Sequence, residues 1–191
     1  LLLAGTSNYD GAEIWAFDGA TWSLFAGGGI ADVGNVSAYC MATYDNLLWV
    51  GMANGAGAEI WTWDGTTWTE VLSGGFGDPA NRWALSMAVH GGILYVGTIK
   101  PESIGGAEVW ATDGVSWWQA NDDGFGDLGN HMIFDLLSWK GTLWASTTNA
   151  VTGVEVWALN GTEWTQVNTD GFGDAHNDRA VGDVKDGPIF E

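Results

Sequence analysis

The chain has 191 residues, 46% of them hydrophobic, and its 24 acidic residues against five Lys and Arg give a formal net charge of −19 at pH 7. The hydrophobic content excludes an intrinsically disordered chain, and the scarcity of cations argues against binding to nucleic acid or an anionic membrane surface. The single cysteine, Cys40, excludes an intrachain disulfide, and no apolar run is long enough for a membrane-spanning helix.

A five-residue pattern, Gly-x-Glu-Ile/Val-Trp, occurs four times along the chain. It begins at Gly11, Gly57, Gly106 and Gly153, in steps of 46, 49 and 47 residues. These steps define one domain, 1–191, with repeats 1–46, 47–92, 93–141 and 142–187, and residues 188–191 begin another repeat. A period of this length is typical of propellers and other repeat folds.

Each repeat is predicted to form four short strands. An apolar run comes first (1–6, 47–52, 93–98 and 142–147), which indicates a strand covered on both faces. The Glu-Ile/Val-Trp strand follows and ends at Asp-Gly or Asn-Gly, which predicts a tight type I′ hairpin. The third strand begins near Trp22, Trp68, Trp117 and Trp164. The fourth follows a glycine-rich loop and covers 38–44, 84–90, 133–139 and 180–186.

Four antiparallel strands per repeat predict an all-β fold, a β-propeller of four-stranded blades that bury their apolar faces against one another. The segment Met87–Gly97 resembles the inner hairpin of kelch-type blades, and Trp61, Asp64, Gly65 and Trp68 resemble their outer hairpin. The repeat length is similar to that of tachylectin-like lectin propellers. The kelch-type resemblance implies that the fourth strand of each repeat is the innermost strand of a blade.

Two arrangements of the four repeats stay open at this point. In a closed four-bladed ring, residues near 178–187 complete the first blade. In the alternative, the four blades belong to a larger ring, or to one completed by another copy of the chain.

A Gly-Phe-Gly-Asp-x-x-Asn loop precedes the fourth strand at 75–81, 124–130 and 171–177, and a variant occupies 29–35. We expect its Asp to form an Asx turn, its Asn to hold the end of the loop, and its Phe to fill the gap between blades. The alternative is a Ca²⁺ site, because calcium takes oxygen ligands. The richest oxygen donors are Asp122, Asp123, Asp127, Asp170, Asp174 and Asn177.

Glu13, Glu59, Glu108 and Glu155 each lie two residues before a tryptophan, on the same face of the strand. A half-buried carboxylate needs a hydrogen-bond donor, so we expect each to bind the backbone of a neighbouring blade. Recognition of sugar hydroxyls beside the tryptophan is the alternative.

Residues that differ between repeats at an equivalent position are candidates for specificity. Six of them follow the glycine-rich loops, and we predict that they form a ligand-binding rim: Arg82, Trp83, His131, Met132, Asp178 and Arg179. We call this set the inner rim.

These features favour a non-catalytic recognition module that binds carbohydrate, and no catalytic residue is predicted. One alternative is a structural or protein-interaction propeller within a larger surface protein. Another is a hydrolase with acids in the central channel, for which Asp135 and Asp183 are the candidates. The expected partners are a carbohydrate or a protein, with a homo-oligomer included, and an extracellular or cell-surface location is favoured.

Overall fold

The computed structural model describes residues 1–180, which form fifteen β-strands and three short 3₁₀ turns. The first blade contains β1 (Leu2–Gly5), β2 (Ile14–Phe17) and β3 (Trp22–Ala26). The second contains β4 (Asn35–Tyr44), β5 (Leu47–Asn54), β6 (Glu59–Trp63) and β7 (Trp68–Leu72). The third contains β8 (Trp83–His90), β9 (Ile93–Ile99), β10 (Val109–Thr112) and β11 (Trp117–Gln119). The fourth contains β12 (Met132–Trp139), β13 (Thr142–Thr148), β14 (Val156–Asn160) and β15 (Glu163–Gln166).

Every strand of a blade pairs antiparallel with the next strand along the chain, so the predicted all-β blade architecture is confirmed. The end of the second strand of one blade touches the beginning of the first strand of the next, through the bridges Ala53↔Trp83 and Ile99↔Met132. Thr148 and Arg179 form a bridge of the same kind. The 3₁₀ turns Gly75–Gly77, Asp123–Gly126 and Asp170–Gly173 follow the last strand of each four-stranded blade. In this part of the chain no helix is long and apolar enough to span a membrane.

The two hairpins of a blade use different turns, which corrects one prediction. Asp45 and Asn46 both have positive φ, as do Gly91 and Gly92, so the type I′ turns lie between the first two strands of the second and third blades. The predicted type I′ turn at Asp18-Gly19 is wrong, because Phe17 pairs with Trp22 and four residues form the loop. There the Asp18 carboxylate accepts the backbone N–H groups of Ala20 and Thr21 at 2.8 Å.

The apolar core lies between blades rather than within them. Ile14 and Ala12 of the first blade share a cluster with Val50 and Met52 of the second. A second cluster joins the second and third blades, and a third joins the third and fourth. Each sheet is thus stabilised by burial of apolar surface against its neighbour, as expected for stacked repeats.

Glycine pairs allow the chain to pass close to itself at each contact between blades. A Cβ on Gly57, whose φ is +117°, would lie 2.6 Å from the carbonyl carbon of Gly74. Gly11 and Gly28 form the same close approach one repeat earlier. Because no other residue fits both the space and the positive φ, these glycines fix where each loop lies on the preceding blade.

Four predictions fall on residues 181–191, outside the described part of the chain. They are the fourth repeat's strand at 180–186, the completion of the first blade by residues near 178–187, the new repeat at 188–191, and Asp183 as a candidate channel acid. Of these ranges, only residues 178–180 are described.

Candidate functional site

A buried polar network lies at each contact between blades. We call the loops 29–35, 75–81, 124–130 and 171–177 the joint loops. Their backbone is held by two bonds to the preceding blade: Gly75 N–H donates to the Ala58 carbonyl, and Ala58 N–H donates to the Asn81 carbonyl. The other joint loops repeat this pair of bonds, so all four loops are held in the same way, and the first three present their polar side chains to the following blade.

The predicted turn within the joint loop is confirmed. Asp78 accepts the backbone N–H of Ala80 at 2.9 Å, and the Asn81 side chain donates to the Gly75 carbonyl at 3.0 Å. The hydrogen bond from Ala80 holds the pKa of Asp78 below its ordinary value. Asp32, Asp127 and Asp174 make the same turn, so these carboxylates shape the loops.

The repeated glutamates do not bind the backbone of the neighbouring blade, contrary to the sequence prediction. Glu59 accepts instead from the Asn35 side chain of the joint loop at 2.6 Å and from the Trp61 indole of its own strand at 2.8 Å. The asparagine connects two blades, so the glutamate still contributes to the joint. Glu108 and Glu155 have equivalent partners.

Lys100 occupies a position that is asparagine in the other repeats. The backbone N–H at this position donates to the carbonyl of the residue directly after the next joint-loop asparagine. The four donors are Asn8, Asn54, Lys100 and Asn149. Lys100 is only 4% exposed, and its ammonium group contacts Glu108 and lies 3.1 Å from Asp78. Burial alone would lower the pKa of Lys100, but the hydrogen bonds to these two carboxylates and the charge of Asp123 outweigh it and raise the pKa.

The fourth blade has the same carboxylates without the lysine. Burial raises the pKa of Glu155, against the lowering effect of hydrogen bonds from Asn130 and Trp157, and the charges of Asp170 and Asp127 raise it further. Burial likewise raises the pKa of Glu59, beside Asp32. Neutral asparagines thus leave all the negative charge uncompensated at two joints, whereas at the third joint Lys100 offsets one of the three carboxylates around it, Asp78, Glu108 and Asp123.

Three of the carboxylates proposed as calcium ligands accept hydrogen bonds from protein side chains. Asp123 accepts from Gln119 at 2.7 Å, and Asp170 accepts from Gln166 at 2.6 Å. Asp127 accepts from Asn149 at 3.0 Å. Across residues 1–180, no group of three His, Cys, Asp or Glu side chains could hold a metal ion. The calcium site at Asp122, Asp123, Asp127, Asp170, Asp174 and Asn177 stays a prediction.

The structure places the inner-rim residues at equivalent positions after the joint loops: Arg82, Trp83, His131 and Met132 lie at the beginning of β8 and β12, and Arg179 forms an isolated bridge with Thr148. Arg82 and Arg179 are exposed, whereas His131 is buried, with Nε2 3.6 Å from Glu102 and Nδ1 3.2 Å from the Gly129 carbonyl. Trp83 packs on Tyr39, with 5.3 Å between ring centroids. Met132 is half-buried, and Asp178 lies 3.9 Å from Arg179.

A pocket of about 190 Å³ opens beside Trp83. Ser7, Ser37 and Asn8 contribute polar groups to its lining, and Tyr39 and Trp83 contribute aromatic rings. It combines ring surfaces with hydroxyl and amide groups, the chemistry of a site for a small polar ligand.

A larger cleft of about 480 Å³ lies between the outer parts of the third and fourth blades, and we call it the outer cleft. Its lining residues are Gln119, Ala120, Asn121, Asp122, Phe125, Trp157, Thr162, Glu163 and Trp164. Phe125 stacks on Trp157 with 4.7 Å between centroids, and the Trp164 indole donates to the Ala120 carbonyl at 2.8 Å. These contacts fix the aromatic wall of the cleft, while Asp122, Thr162 and Glu163 are exposed and available to a ligand.

Sequence reasoning missed the outer cleft because its two walls come from different repeats. One wall follows β11 and the other includes the β14–β15 hairpin. A signal was present: the third and fourth repeats share Gln-x-Asn-x-Asp-Gly-Phe, at 119–125 and 166–172, which the first two repeats lack. In the third repeat, Asn121 accepts the Val109 N–H at 2.6 Å and so positions this wall.

No protein-family model and no curated protein matches the chain, so the kelch-type resemblance is not confirmed. Similar solved structures are Pyrococcus horikoshii acylaminoacyl peptidase, Bacteroides ovatus xyloglucan PUL GH43B and the Aleuria aurantia lectin in complex with Fucα1-6GlcNAc. The peptidase is 13% identical with a TM-score of 0.54, over 86% of this chain and 25% of that one. GH43B is 14% identical with a TM-score of 0.52, over 88% of this chain and 38% of that one. The lectin is 12% identical with a TM-score of 0.54, over 90% of this chain and 57% of that one. These likenesses show the propeller fold, and the chain spans between a quarter and just over half of each neighbour's length.

Proposed function

We propose that the chain is a non-catalytic carbohydrate-recognition module and that the outer cleft is its main binding site. The observation that carries the proposal is the composition of this cleft, in which Trp157 and Trp164 lie beside Asp122, Thr162 and Glu163. Sugars present apolar C–H faces that pack on aromatic rings and hydroxyls that donate to carboxylates. A volume of about 480 Å³ is in the range of small-ligand sites.

The charge of the cleft favours a neutral sugar over an acidic one. The lining contains two carboxylates, Asp122 and Glu163, and neither lysine nor arginine. Lys100, the cation of the preceding joint, is buried and already paired with carboxylates. With a net charge of −19, the protein also repels anionic ligands at a distance. We therefore propose neutral hexose units as the ligand class.

Glu163→Gln and Asp122→Asn are each expected to weaken binding of a neutral glycan about tenfold, because a hydrogen bond to a charged group contributes about 1.5–3 kcal/mol. Both residues are exposed, so neither change should affect folding. Glycan-array screening with and without Ca²⁺, followed by titration calorimetry of the best neutral ligand, measures the effect.

Glu70→Gln is the matched control, because Glu70 is an exposed acid on an outer strand remote from the outer cleft lining. If Glu163→Gln, Asp122→Asn and Glu70→Gln all bound the glycan with equal affinity, the outer cleft would not be the binding site. A folded protein that binds no glycan on the array would favour the protein-interaction propeller instead.

We further propose that the inner rim, with its pocket beside Trp83, is a second and weaker sugar site. A chain with two sites should bind about two ligands in calorimetry, and Trp83→Ala should reduce this to about one while leaving the tighter event unchanged. Trp118→Ala is the control, because Trp118 is also a partly exposed tryptophan but lines neither described pocket. A stoichiometry of one in the unmodified protein would argue against the rim site.

A further inference from the structure

The contacts between blades follow one pattern with an apolar and a polar half. In the apolar half, a side chain of the joint loop packs on two tryptophans of the following blade. Phe76 stacks on Trp110, with 5.1 Å between centroids and 15° between planes, and meets Trp117 edge-on at 5.2 Å. Phe125 repeats this geometry on Trp157 and Trp164.

The polar half is a hydrogen bond between the same two blades. The asparagine that ends the joint loop donates to the glutamate of the following blade. The distances are 2.6 Å for Asn35 to Glu59 and 2.7 Å for both Asn81 to Glu108 and Asn130 to Glu155. All three contacts between the described blades therefore carry this bond.

The last joint loop, 171–177, has the same phenylalanine and asparagine, but among the described residues neither contacts a following blade. Phe172 is 65% exposed, although the sequence predicted that it fills a gap between blades. The Asn177 side chain donates to the Gly171 carbonyl of its own loop at 2.9 Å, and within residues 1–180 no glutamate accepts from it.

The first blade carries the corresponding acceptor half. Trp22 is 48% exposed, and Leu24 on the same strand is 53% exposed. Glu13 accepts from the Trp15 indole at 2.9 Å, as the other glutamates accept from their tryptophans, but from no asparagine among the described residues. The two ends of the row of blades are therefore complementary to each other and neither covers the other.

We propose that two copies of this chain associate head to tail, with Phe172 of each copy packed on Trp15 and Trp22 of the other and Asn177 donating to Glu13. The three contacts between blades within one chain identify the partner surface, because they show that a joint loop is covered by the tryptophans and glutamate of the following blade. A head-to-tail contact forms a closed ring when the rotation per subunit permits it. Two rows of four blades form two identical contacts and an eight-bladed ring, which is within the size range of propellers.

Light scattering of the 191-residue protein tests the association. We expect twice the chain mass of 20.3 kDa at micromolar concentration. Phe172→Glu should shift the protein to the monomer mass, because it places a carboxylate against the two tryptophans. Val115→Glu, at a 90% exposed position of an outer hairpin, should remain dimeric. A monomeric unmodified protein, or a dimeric Phe172→Glu variant, would overturn the proposal.

Crosslinking distinguishes the head-to-tail contact from other dimers. In a Cys40→Ser background, Phe172→Cys and Trp22→Cys are prepared separately and treated with a short bismaleimide. A mixture of the two should give a crosslinked dimer, whereas either variant alone should not. The internal pair Phe125→Cys with Trp164→Cys serves as the geometric control. Crosslinking of Phe172→Cys to itself, or an intrachain crosslink in a monomeric protein carrying both changes, would contradict the proposal.

Discussion

Replacement of Lys100 by methionine is expected to lower the free energy of unfolding by about 3–5 kcal/mol, since it leaves the buried Glu108 carboxylate without its counter-ion. The lysine is 4% exposed and contacts Glu108 and Asp78, so neither water nor another cation replaces its charge. Methionine matches the length of the alkyl part of the lysine side chain and keeps its packing. Urea denaturation at neutral pH, with the slope compared between variants, measures the loss.

Lys100→Asn removes the charge but keeps a hydrogen-bond donor at this position. The fourth blade has asparagine here, and Asn149 donates to Asp127 at 3.0 Å and to Asn130 at 3.2 Å. We therefore expect Lys100→Asn to lose clearly less stability than Lys100→Met. Lys140→Met is the control for loss of a surface cation, and its cation–π contact with Trp139 limits the expected change to about 1 kcal/mol. Equal losses for the methionine and asparagine variants of Lys100 would show that a neutral hydrogen-bond donor does not compensate for the lost charge. A loss for Lys100→Met no larger than the loss for Lys140→Met would show that charge pairing is not the cause.

Glutamine at two equivalent glutamate positions should change stability in opposite directions. Glu108→Gln removes the charge that faces Lys100, which we expect to cost about 1.5–3 kcal/mol at neutral pH. Glu155→Gln removes a charge that faces Asp127 and Asp170, while the amide oxygen can still accept from Asn130 and Trp157. The second change should therefore raise the free energy of unfolding at pH 7.

The pH dependence gives this prediction its sign. Because burial raises the pKa of Glu155 in the folded state, the folded protein binds this proton more tightly than the unfolded chain does. The resulting stabilisation is fully present below the ordinary glutamate pKa of 4.5 and is lost as the pH rises through the folded-state value. The advantage of Glu155→Gln should hence be small near pH 4 and largest at pH 7. An advantage that does not change with pH would point to packing rather than charge.

Much of the fold could be predicted because it is encoded in short, repeated patterns. The Glu-x-Trp strands, the joint loops and the strand order all follow from residues within one period. The outer hairpins of the first three blades were mispredicted because Asp-Gly occurs in more than one turn, and the registers Phe17↔Trp22, Trp63↔Trp68 and Thr112↔Trp117 show loops of four residues. The tight hairpin predicted at Asn160-Gly161 does have a loop of two residues, because Asn160 pairs with Glu163.

The candidate site was predicted less well because it depends on contacts between repeats. The hydrogen bond from Asn35 to Glu59 crosses 24 positions, so strand periodicity identified the glutamate as half-buried but not its partner. The place of Lys100 in the repeat was overlooked, and the backbone bond to His131 shows it. Alignment of the four repeats with one another could also find it, since Lys100 is the only charged residue at its position.

The joint contacts also bear on how such a chain can change in length. Each of them involves only two consecutive units, from the glycine pair Gly57 and Gly74 to the bond between Asn81 and Glu108. Duplication or deletion of one whole unit leaves an intact junction on either side of the change, because the flanking sequences already match. Unequal recombination between the repeated motifs therefore offers a direct genetic route to relatives with more or fewer units.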